Sequence, residues 1–486
     1  FDAMTDLIKI MLCCPLLFPA LSSQAQKQNT PPVTMNNISV LPSDSNRKVC
    51  INSLEVTGTK KTKIYIVYRE MHFKKGDSLQ VSSLQKEMEQ ARRQVYNTTL
   101  FNEVSFVLTV VDSQHVNIAV HVTERWYFYP VPLFQPVDRN FNEWYKTYNA
   151  RFDRVNYGIK FVHYNLSGRR DQLRIYLING YTRNISFSYS NPYSNRSLTN
   201  GFIVNAGYSQ NRETPYKTDS SNNILLYKKD DFTRKTIYAG AGFIIRKGLF
   251  KRHIFSASYT YIKVADSIIN IKYNPDYFNG PVTSKNIVEF TYQVQYSNVN
   301  NVSYPLTGRS AFLSFQKRGL GISGGINVLT LEAGYNKYFS LGKNWYSSIY
   351  LNGKVKLPFD QAYINQRGLG YGENYLRGLE YYVIDGVATA LVKTTLKKKI
   401  VSFNIPFTLF PKVITKIPFT FFAKTYADLG YAYNKKTTYT YLNNRLLYTG
   451  GFGIDVLTLY DINLRFEYSF NQLKENGLFL HNQSGF

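Results

Sequence analysis

The chain has 486 residues, 16% of them aromatic, with 41 tyrosines and 33 phenylalanines against three tryptophans. Its 58 Lys+Arg against 32 Asp+Glu give a formal net charge of +26. The basic residues are scattered, with no basic helix and no aromatic-basic recognition module, which argues against nucleic-acid binding and for anionic lipid or lipopolysaccharide as the counter-charge.

The first residues have the pattern of an export signal: Met4 as the start, Lys9 in a thin basic region, an apolar run from Ile10 to Leu21, and Ser23-Gln24-Ala25 ahead of Gln26. Residues 1–25 are therefore expected to be a signal peptide cleaved after Ala25. Cys13 and Cys14 leave with it, and the remaining Cys50 carries no disulfide, redox or metal framework. Beyond the signal no apolar run of about 18 residues occurs, so no transmembrane helix is expected. An exported chain can still cross a membrane as a closed barrel.

Residues 26–46, with Pro31-Pro32 and Asn36-Asn37, read as a polar, disordered linker. A compact α+β unit is expected over 47–125, in the order β-α-α-β-β. Ile51 to Gly58 is a strand and Lys63 to Glu70 a short helix. Ser82, with Gln85 three residues on, has the spacing of a capping box opening a longer helix. Leu84, Met88, Ala91 and Val95 follow at helical spacing, and two alternating strands run through Val104–Val110 and Val116–Val122.

Past Trp126 the helical period vanishes. Val288, Phe290, Tyr292, Val294 and Tyr296 alternate with polar residues, as do Leu464, Phe466, Tyr468 and Phe470. A soluble β-sandwich would bury such an apolar face, but many of these segments run ten or more residues and carry charge along the polar face, as membrane strands do. Sixteen strands are counted over 141–486, from Trp144–Phe152 and Val155–Tyr164 to Ile462–Asn471 and Gly477–Phe486. The longer connections, 212–231, 264–285, 358–385 and 434–445, fall on the outer side; 397–418 falls on the other side despite its length.

Several motifs then carry a resemblance. LEVTGTKKTK, REMHFKKGD, TTLFNEVSF and HVTERWYFYP lie in the N-terminal unit, YLRGLE contains Arg377-Gly378, YADLGYAY contains Asp428 and Gly430, and the chain ends in Phe486. In their order and spacing they resemble the BamA/TamA-type outer-membrane insertase and translocase family. The resemblance implies a mainly β protein: one small α+β POTRA-like domain in the periplasm, followed by a 16-stranded antiparallel transmembrane β-barrel in the bacterial outer membrane. It implies that the loop bearing Leu376, Arg377 and Gly378 folds back into the barrel, where Arg377 meets Asp428 beside Gly430. It also implies unfolded β-rich client proteins, with periplasmic accessory proteins as further partners. The chain departs from the family at Thr395, near where many members carry a glutamate, and at Leu379, where an aromatic is usual.

In a polar lumen a guanidinium needs carboxylate or carbonyl partners. Arg377 either only orders its loop or serves function directly, and the two overlap. A weak seam is expected between Trp144–Phe152 and the terminal strand, which carries Leu478 and Leu480 but ends in the poor strand formers Asn482, Gln483, Ser484 and Gly485. A frayed terminus is the alternative reading. No catalytic residue, cofactor or metal site is expected. Gly321-Ile322-Ser323-Gly324-Gly325 lacks the strand-turn-helix setting of a nucleophile elbow, and the six histidines include no H-E-x-x-H. The functions left open are insertion or export of β-rich clients, a channel or transporter dedicated to one secreted partner, and a surface structural or adhesive barrel.

Overall fold

A computed structural model describes residues 33–40, 44, 46–136, 152–319, 326–407, 416–435 and 440–483. The signal peptide, the Gly321–Gly325 stretch and Phe486 lie outside them.

The N-terminal domain is a five-stranded sheet in the order β1-β4-β5-β2-β3. It comprises β1 (Val33–Asn36), β2 (Lys48–Thr57), helix α1 (Ile64–Arg69), β3 (Ser78–Gln80), helix α2 (Leu84–Tyr96), β4 (Phe101–Val110) and β5 (His115–Glu124). The inward residues of β4 and β5, among them Phe106, Leu108, Ile118 and Val120, close on Leu84, Met88, Ala91 and Val95 of α2 in one core. Two expectations are corrected. Residues 26–46 are not wholly a linker: Val33–Asn36 pairs in parallel with Phe106–Thr109 and forms an edge of the sheet. The capping box at Ser82 does not form. The helix begins at Leu84, and Ser83 at its N-cap donates its hydroxyl to the Gln80 carbonyl.

The remainder is one sheet of sixteen strands with neighbours antiparallel. Chain order runs β6 (Phe128–Pro136), β7 (Val155–His163), β8 (Gln172–Gly180), β9 (Thr182–Asn191) and β10 (Asn200–Asn211). The short pair β11 (Glu213–Thr218) and β12 (Ile224–Lys228) decorates the next loop, followed by β13 (Arg234–Lys247), β14 (Lys251–Val264), β15 (Ser284–Val299) and β16 (Gly308–Arg318). Then come β17 (Val328–Gly342), β18 (Trp345–Leu357), the small loop strands β19 (Arg367–Leu369) and β20 (Ile384–Asp385), and β21 (Ala388–Pro406). The last four are β22 (Lys416–Tyr433), β23 (Leu447–Leu457), β24 (Asn463–Asn471) and β25 (Asn476–Gln483). The sheet curls until its ends meet, since Tyr129 of β6 stands edge-on to Tyr460 in the turn before β24, with ring centroids 6.3 Å apart.

The sheet is inside-out for water. Leu429, Ile454, Phe466, Leu478 and Leu480 are exposed on the outer face while Asp428, Asp455, Glu467 and Lys424 are buried. That distribution is stable where the outer face meets hydrocarbon and the lumen stays polar.

The first barrel strand corrects the sequence reading. It is Phe128–Pro136, not Trp144–Phe152, of which 144–151 lies outside the described residues and Phe152 opens a one-turn helix. Pro130, Pro132 and Pro136 lie within it, and proline is compatible with an edge strand. The 397–418 connection is also shorter than expected, because β21 continues to Pro406 and β22 starts at Lys416.

The α+β domain docks on the turns at one end of the barrel. Glu70, the C-cap of α1, is buried against Arg246 of β13 in a two-pronged contact of 2.5 and 2.6 Å, and accepts the Tyr193 hydroxyl at 2.7 Å. Arg125 donates to Asp461 at 2.7 Å, and Tyr96 and Asn301 reach the same carboxylate. The Lys63 amide meets the Gly168 carbonyl and Arg69 the Gly248 carbonyl, both at 2.9 Å.

Burial alone would raise the Glu70 carboxyl, but the hydrogen bonds and charge of Arg246 outweigh it and hold the group at about 2, against an ordinary 4.5. A lowered folded value means that the stabilisation is complete above about pH 4.5 and is lost as pH falls towards 2. Glu70→Ala leaves Arg246 buried and unpaired, a loss of about 3–5 kcal/mol for pairs of this kind. Faster proteolysis between the two domains is the expected readout. Glu70→Gln should flatten the acid limb of that proteolysis profile; an unchanged limb would assign the pH dependence to other groups.

Candidate functional site: an arginine loop pinned inside the barrel

The loop between β18 and β21 turns back into the lumen. Its base is tied by the β19–β20 pairing, and the Gly370 amide meets the Asn374 carbonyl at 2.7 Å. Gly370, Gly372 and Gly378 adopt positive φ, which favours glycine, whereas Gly386 does not. Gly378 is constrained twice. Its φ is +96°, and a Cβ there would stand 2.7 Å from the Ser469 Cβ on β24.

These turns deliver Arg377 to the wall. Its backbone amide and Nε donate to Asp428 Oδ2 at 3.0 and 2.9 Å, and Nη2 reaches Oδ1 of the same carboxylate. Nη2 also meets the Thr394 carbonyl, and Nη1 the Thr395 hydroxyl, both at 3.0 Å. The guanidinium carbon sits 4.0 Å from the centroid of the Tyr426 ring. Asp428 is 0% exposed and Arg377 8%, so the pair is dry and bidentate, the geometry in which an arginine cannot be exchanged for lysine. Thr395 supplies a neutral acceptor where the resemblance implied a second carboxylate, so one positive charge faces one negative charge.

Leu376 fills the space over Gly430: a Cβ on Gly430 would stand 2.7 Å from Leu376 Cδ1. Leu369, Leu376, Leu379 and Ile384 form one apolar cluster with Leu391 and Ala432 of the wall, although Leu379 stands where an aromatic is usual.

The loop braces more of the barrel than the sequence showed. Asn471 of β24 donates to the Gly378 carbonyl at 2.9 Å, and the Tyr382 hydroxyl to Glu475 at 2.7 Å. His481 of β25 lies 3.1 Å from Glu380 and 3.4 Å from Glu467, and stacks on Tyr375. Glu380 closes the YLRGLE motif three residues after the arginine and Tyr426 is two residues before Asp428 on the same strand face, so both had a local signal; the His481 contact had none. Glu380, Glu467 and His481 bring ligand atoms within 4.8 Å of one another, but Lys424 already neutralises Glu467 at 2.6 Å and also pairs with Asp455. The cluster is accounted for as a relay of ion pairs.

Comparison with known proteins agrees with this architecture. The model of the POTRA family, described as surface antigen variable number repeat, matches residues 49–125. CdiB from Escherichia coli has a similar structure, with a TM-score of 0.51 and 10% identity over 89% of this chain and 75% of that one. In its fold the chain is a POTRA domain followed by a sixteen-stranded barrel, similar to CdiB. BamA from Haemophilus ducreyi lacking POTRA domains 1–3 also aligns, over 90% of this chain and 85% of that one, at 15% identity and a TM-score of 0.48. No curated protein matches. The POTRA match contains Glu70 and ends at Arg125, so both ionic anchors to the barrel lie within it.

Arg377→Ala and Asp428→Ala should each lower the yield of heat-modifiable, folded barrel, because each leaves a buried charge uncompensated at a cost of about 3–5 kcal/mol. The double variant should cost clearly less than the sum of the two. Strict additivity would mean that the two side chains act independently.

Proposed function

We propose that this protein is an outer-membrane assembly factor that inserts or translocates β-rich client proteins through the seam between its first and last barrel strands, with the POTRA domain in the periplasm. The observation that carries the proposal is that, among the described residues, no hydrogen-bonded ladder joins β25 to β6. An unpaired sheet edge is a template for an incoming strand.

Two features support this reading over a passive channel. The arginine loop fills the lumen beside β21, β22 and β24, and the POTRA domain lies against the turns at the barrel's lower end. A cleft of about 930 Å³ opens between the domain and the foot of the seam, lined in part by Trp126, Phe128, Lys416, Pro418, Leu459 and Tyr460. Lys60, Glu103, Glu124, Arg125 and Asp461 also line it, so it offers an extended chain a mixed polar and aromatic approach beside the start of β6. The net charge of +26 suits contact with anionic lipid or lipopolysaccharide around the barrel. Nothing in this mechanism requires an enzymatic step.

Depletion of the protein should reduce the assembly of several other outer-membrane barrels, measured by heat-modifiability. Normal assembly of all of them with loss of one secreted product would replace the general role with a dedicated transporter. A disulfide between Phe134→Cys and Leu478→Cys should abolish the function reversibly; full activity of the crosslinked protein would exclude passage through the seam.

A further inference from the structure

A polar cavity of about 300 Å³ lies where the POTRA domain meets the end of the barrel, between the end of α2, the β7–β8 turn, and strands β13, β14 and β15. β13 and β14 stand in the middle of the sixteen-strand order, so the cavity belongs to a different part of the wall from the seam. Its charge is unbalanced. Arg170, Arg246 and Arg252 line it, and Glu70 is the only carboxylate among its described lining residues.

The strand register explains the crowding. Arg246 of β13 and Arg252 of β14 stand directly opposite each other, as do Phe243 and Phe255. The two phenylalanines are exposed on the outer face, and an odd step along each strand from them turns both arginines inward. Like charges directly opposite on one face of a sheet repel. Glu70 relieves only Arg246, whose Nη atoms meet its two oxygens at 2.5 and 2.6 Å. Arg170, on the turn, reaches only the Tyr193 hydroxyl and the Asn97 carbonyl, at 3.5 and 3.4 Å. No carboxylate of a described residue lies within ion-pairing distance of Arg170 or Arg252. The C-terminus of α2 adds a partial negative charge of about one half, so about one and a half of the three positive charges stay uncompensated.

Uncharged donors complete the lining. Gln94 of α2 is 7% exposed yet bonds to no described residue. Gln172 accepts from Arg174 through its side-chain oxygen, which leaves its amide N–H groups for the cavity. Buried polar groups without partners are costly. Guanidinium and amide donors that converge from three separate elements suit an oxyanion whose oxygens point in several directions. A phosphate monoester carries about 1.5 to 2 negative charges at pH 7, which matches the excess.

We infer that this cavity binds a phosphate group, free or carried on a lipid, between Arg170 and Arg252 with Gln94 and Gln172. The bound anion joins one residue of the POTRA domain to three of the barrel, so it reinforces the seating that Glu70 and Arg246 begin. The inference is independent of what passes through the seam.

The test uses the full-length protein in a neutral detergent, in sodium phosphate against sodium chloride at equal ionic strength. Phosphate should bind saturably by isothermal titration calorimetry and slow proteolysis between the two domains; chloride should do neither. Arg170→Gln and Arg252→Gln should each weaken phosphate binding about tenfold or more, the loss expected for one charge-assisted hydrogen bond. Heat-modifiability checks that both variants are folded. In chloride, Arg252→Gln should slow the proteolysis relative to the parent, because it removes the like charge opposite Arg246; an arginine with a purely structural role would give the reverse. A second arm places the protein in phosphatidylcholine vesicles with or without phosphatidic acid. Saturation by sodium phosphate assigns the site to a soluble phosphate, and protection only by phosphatidic acid assigns it to a lipid headgroup. Protection by neither, protection that survives unchanged in both variants, or faster cleavage of Arg252→Gln in chloride overturns the inference.

Discussion

A charge held inside a membrane barrel has to find its opposite within hydrogen-bonding distance, because neither lipid nor a filled lumen will solvate it. Three sets of buried pairs meet that requirement, and each joins parts of the chain far apart in sequence. Arg377–Asp428 fixes the loop to the wall, Lys424 with Asp455 and Glu467 ties β22 to β23 and β24, and Glu70–Arg246 with Arg125–Asp461 seats the POTRA domain on the barrel turns. Beside them, the apolar cluster of Leu369, Leu376, Leu379 and Ile384 packs the loop on the wall. In the small domain, by contrast, Leu84, Met88, Phe106 and Ile118 pack in a core without charge.

The rigidity that results is unevenly spread. The loop bonds to β21, β22 and β24, and its Tyr375, Glu380 and Tyr381 touch His481 and Phe479 of β25. The last strand is therefore supported from inside the lumen although its other edge carries no described ladder. At the first strand, Tyr129, Val131 and Val162 form only a small apolar cluster with their neighbours. A braced edge opposes an edge depleted by proline.

Much of this was legible in one dimension because β-structure writes its faces with a period of two. The alternation in Leu464–Phe470 and Val288–Tyr296 located β24 and β15, and the gaps between such segments located the long outer loops. The segment Phe128–Pro136 escaped because its prolines hide the pattern. Read by parity, Tyr129, Val131 and Leu133 do form a buried inward row, but that row is meaningful only once a neighbour strand is known. Val33–Asn36 escaped for a related reason: four residues carry too short an alternation, and only the exposed edge of β4 makes them a strand.

The sequence by itself determined the class of the molecule and most of its elements, because local periodicity is a property of neighbouring residues, while the pairing of Arg377 with Asp428 was what the family resemblance implied. Tertiary structure alone decided which way the apolar faces point, that Thr395 completes the arginine's coordination, and that Glu70 and Arg125 lock the POTRA domain to the barrel. Each of these depends on which strand lies beside which and in what register, a relation between residues up to 365 positions apart, as in Tyr96 and Asp461. Shifting a strand by one residue exchanges its two faces, so facing and partnership are settled only when the sheet has closed upon itself.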